Sequence, residues 1–175
     1  MGVRFRIVRS ETVYSGRVLT LKLDEIVEPG GVRARRELVV HPGSVVVLPL
    51  LADGRVVLVR QFRYAARQSL WELVAGSLEP RESVLAAGRR ELLEETGYRA
   101  RTMRRLLSFY PSPGFLTERM HLVQARGLTP GPPQLEVDER IEVGRFTRTE
   151  IRRMVSSCTI QDAKTLVAML MLLSS

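Results

Sequence analysis

Glu82, Arg90, Glu91, Glu94 and Glu95 are the residues whose types and spacing could do chemistry, and all lie between Gly76 and Gly97. If Arg90 to Glu95 is helical, residues three and four apart share a face, so Glu91, Glu94 and Glu95 project together. Like charges at that spacing cost about 0.2–0.5 kcal/mol per pair. Such a cluster gains only if something positive sits on it. Carboxylate oxygens are hard donors that suit Mg²⁺ or Mn²⁺, ions usually held by a few carboxylates plus substrate phosphates. The spacing therefore points to a metal site for phosphate chemistry. The plainer alternative is an exposed helix whose acids pair with Arg89 and Arg90; the glycines bracketing the stretch argue against it.

These acids need a helix and a rigid frame. Val84, Leu85, Gly88 and Leu92 form an apolar face, and Gly97 is a C-terminal stop, which predicts a helix from about Ser83 to Thr96. Trp71–Ala75 reads as a short strand leading into the Gly76 loop, and Val45–Leu50 and Arg55–Gln61 as core strands around the turn at Asp53-Gly54. Leu106–Phe109, Met120–Ala125 and Ile141–Phe146 are further strands, followed by helices over Thr149–Ser156 and Gln161–Leu173. Upstream, Thr12–Tyr14, Val18–Val27 and Arg33–Val40 read as a small antiparallel sheet, with Pro29-Gly30-Gly31 turning the chain. A sheet this small is marginal alone. The expected division is an N-terminal sheet over 1–42 and a catalytic domain over 43–175. Strands with helices in the middle and at the end predict an α/β fold, a mixed sheet between helical layers.

The 175-residue chain is 45% hydrophobic, enough for an ordinary core, and no stretch is long and apolar enough to span a bilayer. The N-terminus has no secretory-signal pattern, and the single cysteine, Cys158, fits a reducing cytoplasm. The net charge of +8 comes almost wholly from arginine, since Lys22 and Lys164 are the only lysines. The arginines are scattered without interleaved aromatics, so nucleic acid is not an expected partner; an anionic substrate, or simple genomic base composition, explains the bias as well.

From Gly76 to Tyr98 the chain runs Gly, five residues, Glu, seven residues, Arg-Glu, Leu, any residue, Glu-Glu, any residue, Gly, Tyr. Position by position this resembles the Nudix box, whose family hydrolyses nucleoside diphosphates linked to another moiety. Outside the box, Val59-Arg-Gln-Phe-Arg-Tyr-Ala-Ala66, Trp71-Glu-Leu-Val-Ala-Gly76, Ser112-Pro-Gly-Phe-Leu-Thr-Glu118 and Glu136-Val-Asp-Glu-Arg-Ile-Glu-Val143 resemble the ADP-ribose pyrophosphatase subgroup. Pro113, fifteen residues past the box, is that subgroup's usual mark. Val74 is a departure, standing where relatives often carry proline.

The resemblance implies roles. Glu91, Glu94 and Glu95, with the backbone carbonyl of Ala75, would hold Mg²⁺ or Mn²⁺, and Glu82 would be an outer ligand or helix anchor. Arg90 would orient the acids. Arg63 would bind the pyrophosphate or terminal ribose and Arg36 another part of the substrate, since arginine's planar fork meets phosphate oxygens in pairs. Ser112, Gly114 and Glu118 would line the ribose end, and Val18 of a partner subunit would cover the adenine. Glu139 would be the general base, with Glu136 and Asp138 as alternates. Relatives are homodimers that exchange their N-terminal sheets. The implied reaction is water attack on the pyrophosphate of ADP-ribose, giving AMP and ribose 5-phosphate. Two alternatives stay open: another nucleoside-diphosphate sugar or dinucleotide as substrate, and a non-catalytic ADP-ribose sensor. A sensor would need an attached DNA-binding domain, and nothing after Val143 is large enough for a winged helix.

Overall fold

A computed structural model describes residues 5–135 and 140–174. The chain divides into two compact units: one formed by the chain up to Gly43 together with Tyr110–Arg119, the other by Ser44–Phe109 and the chain from Met120.

The first unit is an antiparallel meander of β1 (Arg6–Ser15), β2 (Thr20–Val27) and β3 (Arg33–Val40). The expected boundaries of β3 hold, but β1 is far longer than the Thr12–Tyr14 read from sequence. Every residue of β1 is exposed, so no alternation of apolar and polar residues marks it. Its pairing with β2, from Arg6 opposite Val27 to Ser15 opposite Thr20, defines it instead. Tyr110–Arg119 joins this sheet through its backbone: Val39 N–H donates to Phe115 C=O at 2.8 Å, and Thr117 N–H to Val39 C=O at 2.9 Å.

The second unit holds two sheets and three helices. One sheet, in the order β7-β4-β9-β8, comprises β4 (Ser44–Pro49), β7 (Val74–Ser77), β8 (Arg99–Phe109) and β9 (Met120–Thr129). It is mixed, since β4 runs parallel to β9 and antiparallel to β7. The other, in the order β10-β5-β6, comprises β5 (Val56–Arg63), β6 (Gln68–Glu72) and β10 (Glu142–Phe146). The helices are α1 (Val84–Thr96), α2 (Arg148–Ser156) and α3 (Ala163–Ser174). Among the described residues no helix is long and apolar enough to cross a membrane.

The period-2 pattern of β4 and β5 explains the layering. Val45, Val47, Val57 and Val59 join the cluster containing Val84, Ala87 and Leu92 of α1. Their neighbours Val46, Leu48, Val56 and Leu58 join the cluster containing Ile151 of α2 and Ala168 and Met169 of α3. Side chains alternate across a strand, so these strands are buried on both faces between helical layers. Each fully buried Val or Leu contributes about 1.5–3 kcal/mol. Trp71–Ala75, expected as one strand, is two strands in different sheets. At Leu73 the backbone leaves the ladder, and its N–H donates to the Thr165 hydroxyl of α3 at 2.8 Å.

Candidate active site

Helix α1 carries the acids, and its ends are fixed by local chemistry. The Ser83 side chain accepts from Ala86 N–H as N-cap, and Gly97, at φ 73°, closes the helix with its N–H on Leu93 C=O. Glu91 and Glu95 are buried and Glu94 is half-buried, with 35% of its side chain exposed.

Arg90 is the centre of the cluster. Its Nε and Nη2 donate to the two oxygens of Glu82 at 3.0 and 2.9 Å. Its Nη1 donates to Glu91 Oε1 at 2.6 Å and Glu94 Oε2 at 3.1 Å, and Nη2 also reaches the Ser77 carbonyl at 3.2 Å. The hydrogen bond to Glu82 raises the Arg90 pKa further, and the same bond holds the Glu82 carboxyl below the ordinary glutamate range. Glu82 Oε2 also accepts from Glu79 N–H, which fixes the turn ahead of the helix.

Glu91 lies directly over the strand that precedes the helix. A Cβ built on Gly76 would stand 1.8 Å from Glu91 Oε1, so only glycine admits the carboxylate there. Ala75, the expected carbonyl donor, adjoins this point on β7, opposite Val46 of β4. The donor set fits a hard divalent cation: carboxylates on one helix face, one of them seated in a cradle that any side chain at position 76 would fill. Among the described residues no three acid, imidazole or thiol groups already converge as a ligand set; Arg90 holds Glu82, Glu91 and Glu94 instead.

Arg63, at the end of β5, makes a bidentate pair with Glu72, Nε to Oε1 and Nη2 to Oε2, both at 2.8 Å. This pairing raises the Arg63 pKa, with a smaller contribution from the charge of Glu95. Burial opposes ionisation of Glu72, yet the bonds from Arg63 and the charge of Lys164 outweigh it and hold the carboxyl below its ordinary range. Glu72, Lys164 and Asp162 escaped the sequence reasoning, although a lysine at the head of an otherwise apolar helix was a usable signal.

The segment leading to the expected base is tied to α1. Gln134 N–H donates to the Glu94 carbonyl at 2.9 Å, and a Cβ on Gly97 would strike the Gly131 carbonyl at 2.1 Å. Glu136, Asp138 and Glu139 themselves lie outside the described residues.

The other expected substrate residues belong to the first unit. Arg36 of β3 pairs with Glu28 and donates from Nη1 to the Arg35 carbonyl. Val18 is 64% exposed in the β1–β2 turn. The Ser112 carbonyl accepts from Leu116 N–H at 3.1 Å, and a Cβ on Gly114 would meet nothing within 4 Å. Glu118 stands with Oε1 3.6 Å from His41 Nδ1.

The NUDIX domain model matches residues 40–163. The chain belongs to the Nudix family. Among curated relatives, a methanol dehydrogenase activator of Bacillus methanolicus is 37% identical over 172 residues, covering 96% of this chain and 93% of that one. An ADP-ribose pyrophosphatase of Bacillus subtilis is 36% identical over 163 residues, covering 92% and 88%. A crystal structure of an ADP compounds hydrolase superposes with a TM-score of 0.85 at 23% identity, covering 97% of this chain and 92% of that one, and so shares the fold.

Proposed function

We propose that this Nudix hydrolase cleaves ADP-ribose to AMP and ribose 5-phosphate with a divalent cation, Mg²⁺ first. The observation that carries the proposal is the surplus of carboxylate around α1, where Glu91 and Glu94 of the helix and Glu82 of the turn before it share the single guanidinium of Arg90. The name of the Bacillus subtilis relative supports ADP-ribose as the substrate.

In this proposal Glu91, Glu94, Glu95 and the Ala75 carbonyl hold the cation, and Glu82 anchors Arg90. A cation held there would supply stabilisation of charge on the pyrophosphate oxygens and would favour deprotonation of an attacking water. Arg90 orients the carboxylates. Arg63 binds the pyrophosphate, Arg36 a further part of the substrate, and Ser112, Gly114 and Glu118 the ribose end. Glu139 takes the proton from the attacking water, with Glu136 and Asp138 as alternates. The protein acts as a cytoplasmic homodimer that exchanges the 1–42 sheet onto the 43–175 domain of its partner, bringing Val18 over the adenine. A light-scattering mass equal to one chain would remove the dimer.

The test is incubation with ADP-ribose and Mg²⁺, products separated by chromatography, with ADP-glucose and NADH in parallel. AMP and ribose 5-phosphate should form fastest from ADP-ribose and stop with EDTA. Faster cleavage of another nucleotide would change the substrate and keep the chemistry. Binding of ADP-ribose without cleavage would replace the enzyme by a sensor.

A further inference from the structure

Glu72 is 1% exposed and accepts from two cations at once. Arg63 takes both of its oxygens at 2.8 Å, and Lys164 Nζ donates to Oε2 at 2.5 Å. Lys164 is held in turn by Asp162 Oδ1 at 2.8 Å. The other oxygen of Asp162 caps α3, accepting from Thr165 N–H at 3.0 Å and from its hydroxyl at 2.6 Å. That hydroxyl accepts from Leu73 N–H where the chain passes between sheets. An unbroken series of bonds therefore runs from the start of α3 to the guanidinium at the end of β5.

Glu72 grips one edge of Arg63, through Nε and Nη2. Among the described residues the Nη1 hydrogens have no partner, and 40% of the side chain is exposed. A carboxylate bonded to Arg63 alone could swing with it; Lys164 stops this by holding Oε2 from a second direction. Two cations on one carboxylate also leave the guanidinium charge incompletely neutralised. Ordering a long side chain before a ligand arrives removes that part of the binding penalty.

We infer that Lys164 is a positioning residue for substrate binding: through Glu72 it fixes Arg63 so that its Nη1 edge is presented to a diphosphate. The inference rests on the proposed role of Arg63 as the pyrophosphate ligand.

The test is a double-mutant cycle on ADP-ribose hydrolysis with Mg²⁺, using Lys164→Met, Arg63→Ala and the pair. Lys164→Met should raise KM about tenfold with kcat within about twofold, and add nothing further in the Arg63→Ala background. Lys164→Gln, which keeps a donor for Glu72, should recover part of the KM, and it replaces Lys164→Met should that variant fail to fold. The Arg63 Nε–H signal in ¹⁵N–¹H spectra, assigned by its loss in Arg63→Ala, supplies a readout independent of turnover. It should be slow to exchange in the wild type and averaged in Lys164→Met. A persistent signal in Lys164→Met overturns the inference, as does a KM rise that adds to that of Arg63→Ala. An unchanged KM in Arg63→Ala removes Arg63 as ligand and the inference with it. A wild type that leaves ADP-ribose intact defeats the substrate assignment, while the Arg63 signal still decides the positioning.

Discussion

Around Arg90, three carboxylates are hydrogen-bonded to one guanidinium and a fourth, Glu79, stands 3.9 Å from it; around Glu72, two carboxylates meet two cations. Both clusters lie in the second unit and both are built from arginine forks, but their balance differs. The Glu72 group is neutral as a set and buried at Glu72 and Lys164, with every oxygen of Glu72 and Asp162 bonded and Arg63 reaching solvent along one edge. A set of that kind fixes geometry and has no surplus negative charge to offer a cation. The Arg90 group carries surplus negative charge, and its Glu94 is open to solvent. Surplus charge held in place by hydrogen bonds is what a cation site requires.

The comparison breaks hardest at Glu95, which is 4% exposed on the same helix face. Glu95→Gln keeps the shape and removes a charge, so kcat should fall by roughly 10³, equivalent to about 4 kcal/mol of transition-state stabilisation. Its melting temperature should stay close to wild type. Near-normal turnover would show that the surplus charge is not functional. The mirror experiment is Glu72→Leu, which leaves Arg63 and Lys164 facing each other without their carboxylate. Loss of one partner in a buried ion set destabilises by roughly 3 kcal/mol. Urea unfolding should report that loss, and an unchanged midpoint would deny Glu72 its structural role.

Gly76→Ala sharpens the comparison without touching a charge. The new Cβ would overlap the Glu91 carboxylate at 1.8 Å and force it off β7. If Glu91 holds the cation as proposed, losing its support in this way should lower metal affinity by about 10- to 100-fold. Titration of activity with Mn²⁺ should move to higher concentration by that factor while the unfolding midpoint changes little. A normal titration would mean that Glu91 does not need its present seat.

How much of this was legible in sequence follows from what is local. Helix α1 could be read because Ser83, the apolar face and Gly97 are all within one segment, and the spacing of the acids goes with it. Strands β4 and β5 could be read because their buried valines and leucines are contiguous. By contrast, β1 has no buried face, and the arginines of β8 hid its first half from Arg99 to Arg105. The break at Leu73 and the Glu72–Lys164 bond depend on residues 92 positions apart, and no local pattern encodes such a pairing. The chemistry of the site was therefore plainer than the scaffold that steadies Arg63.

The smallest expected effect is on the pH dependence of stability. Glu72 is held below the ordinary glutamate value of 4.5, against burial, by the hydrogen bonds of Arg63 and the charge of Lys164. A group whose folded pKa is depressed contributes stability that is present above its unfolded pKa and lost as pH falls through the folded one. The contribution of Glu72 should thus be constant from neutral pH down to the approach of 4.5 and decline below it. Glu82 is also lowered, by the hydrogen bond from Arg90, and has the same sign. Urea midpoints measured from pH 7 to pH 3 should fall at the acid end in the wild type. Because Glu72 is enclosed and Glu82 borders solvent, Glu72→Gln should flatten the acid limb more than Glu82→Gln. Equal flattening would mean that enclosure adds nothing to the Glu72 ion pair, and that the two clusters differ only in their net charge.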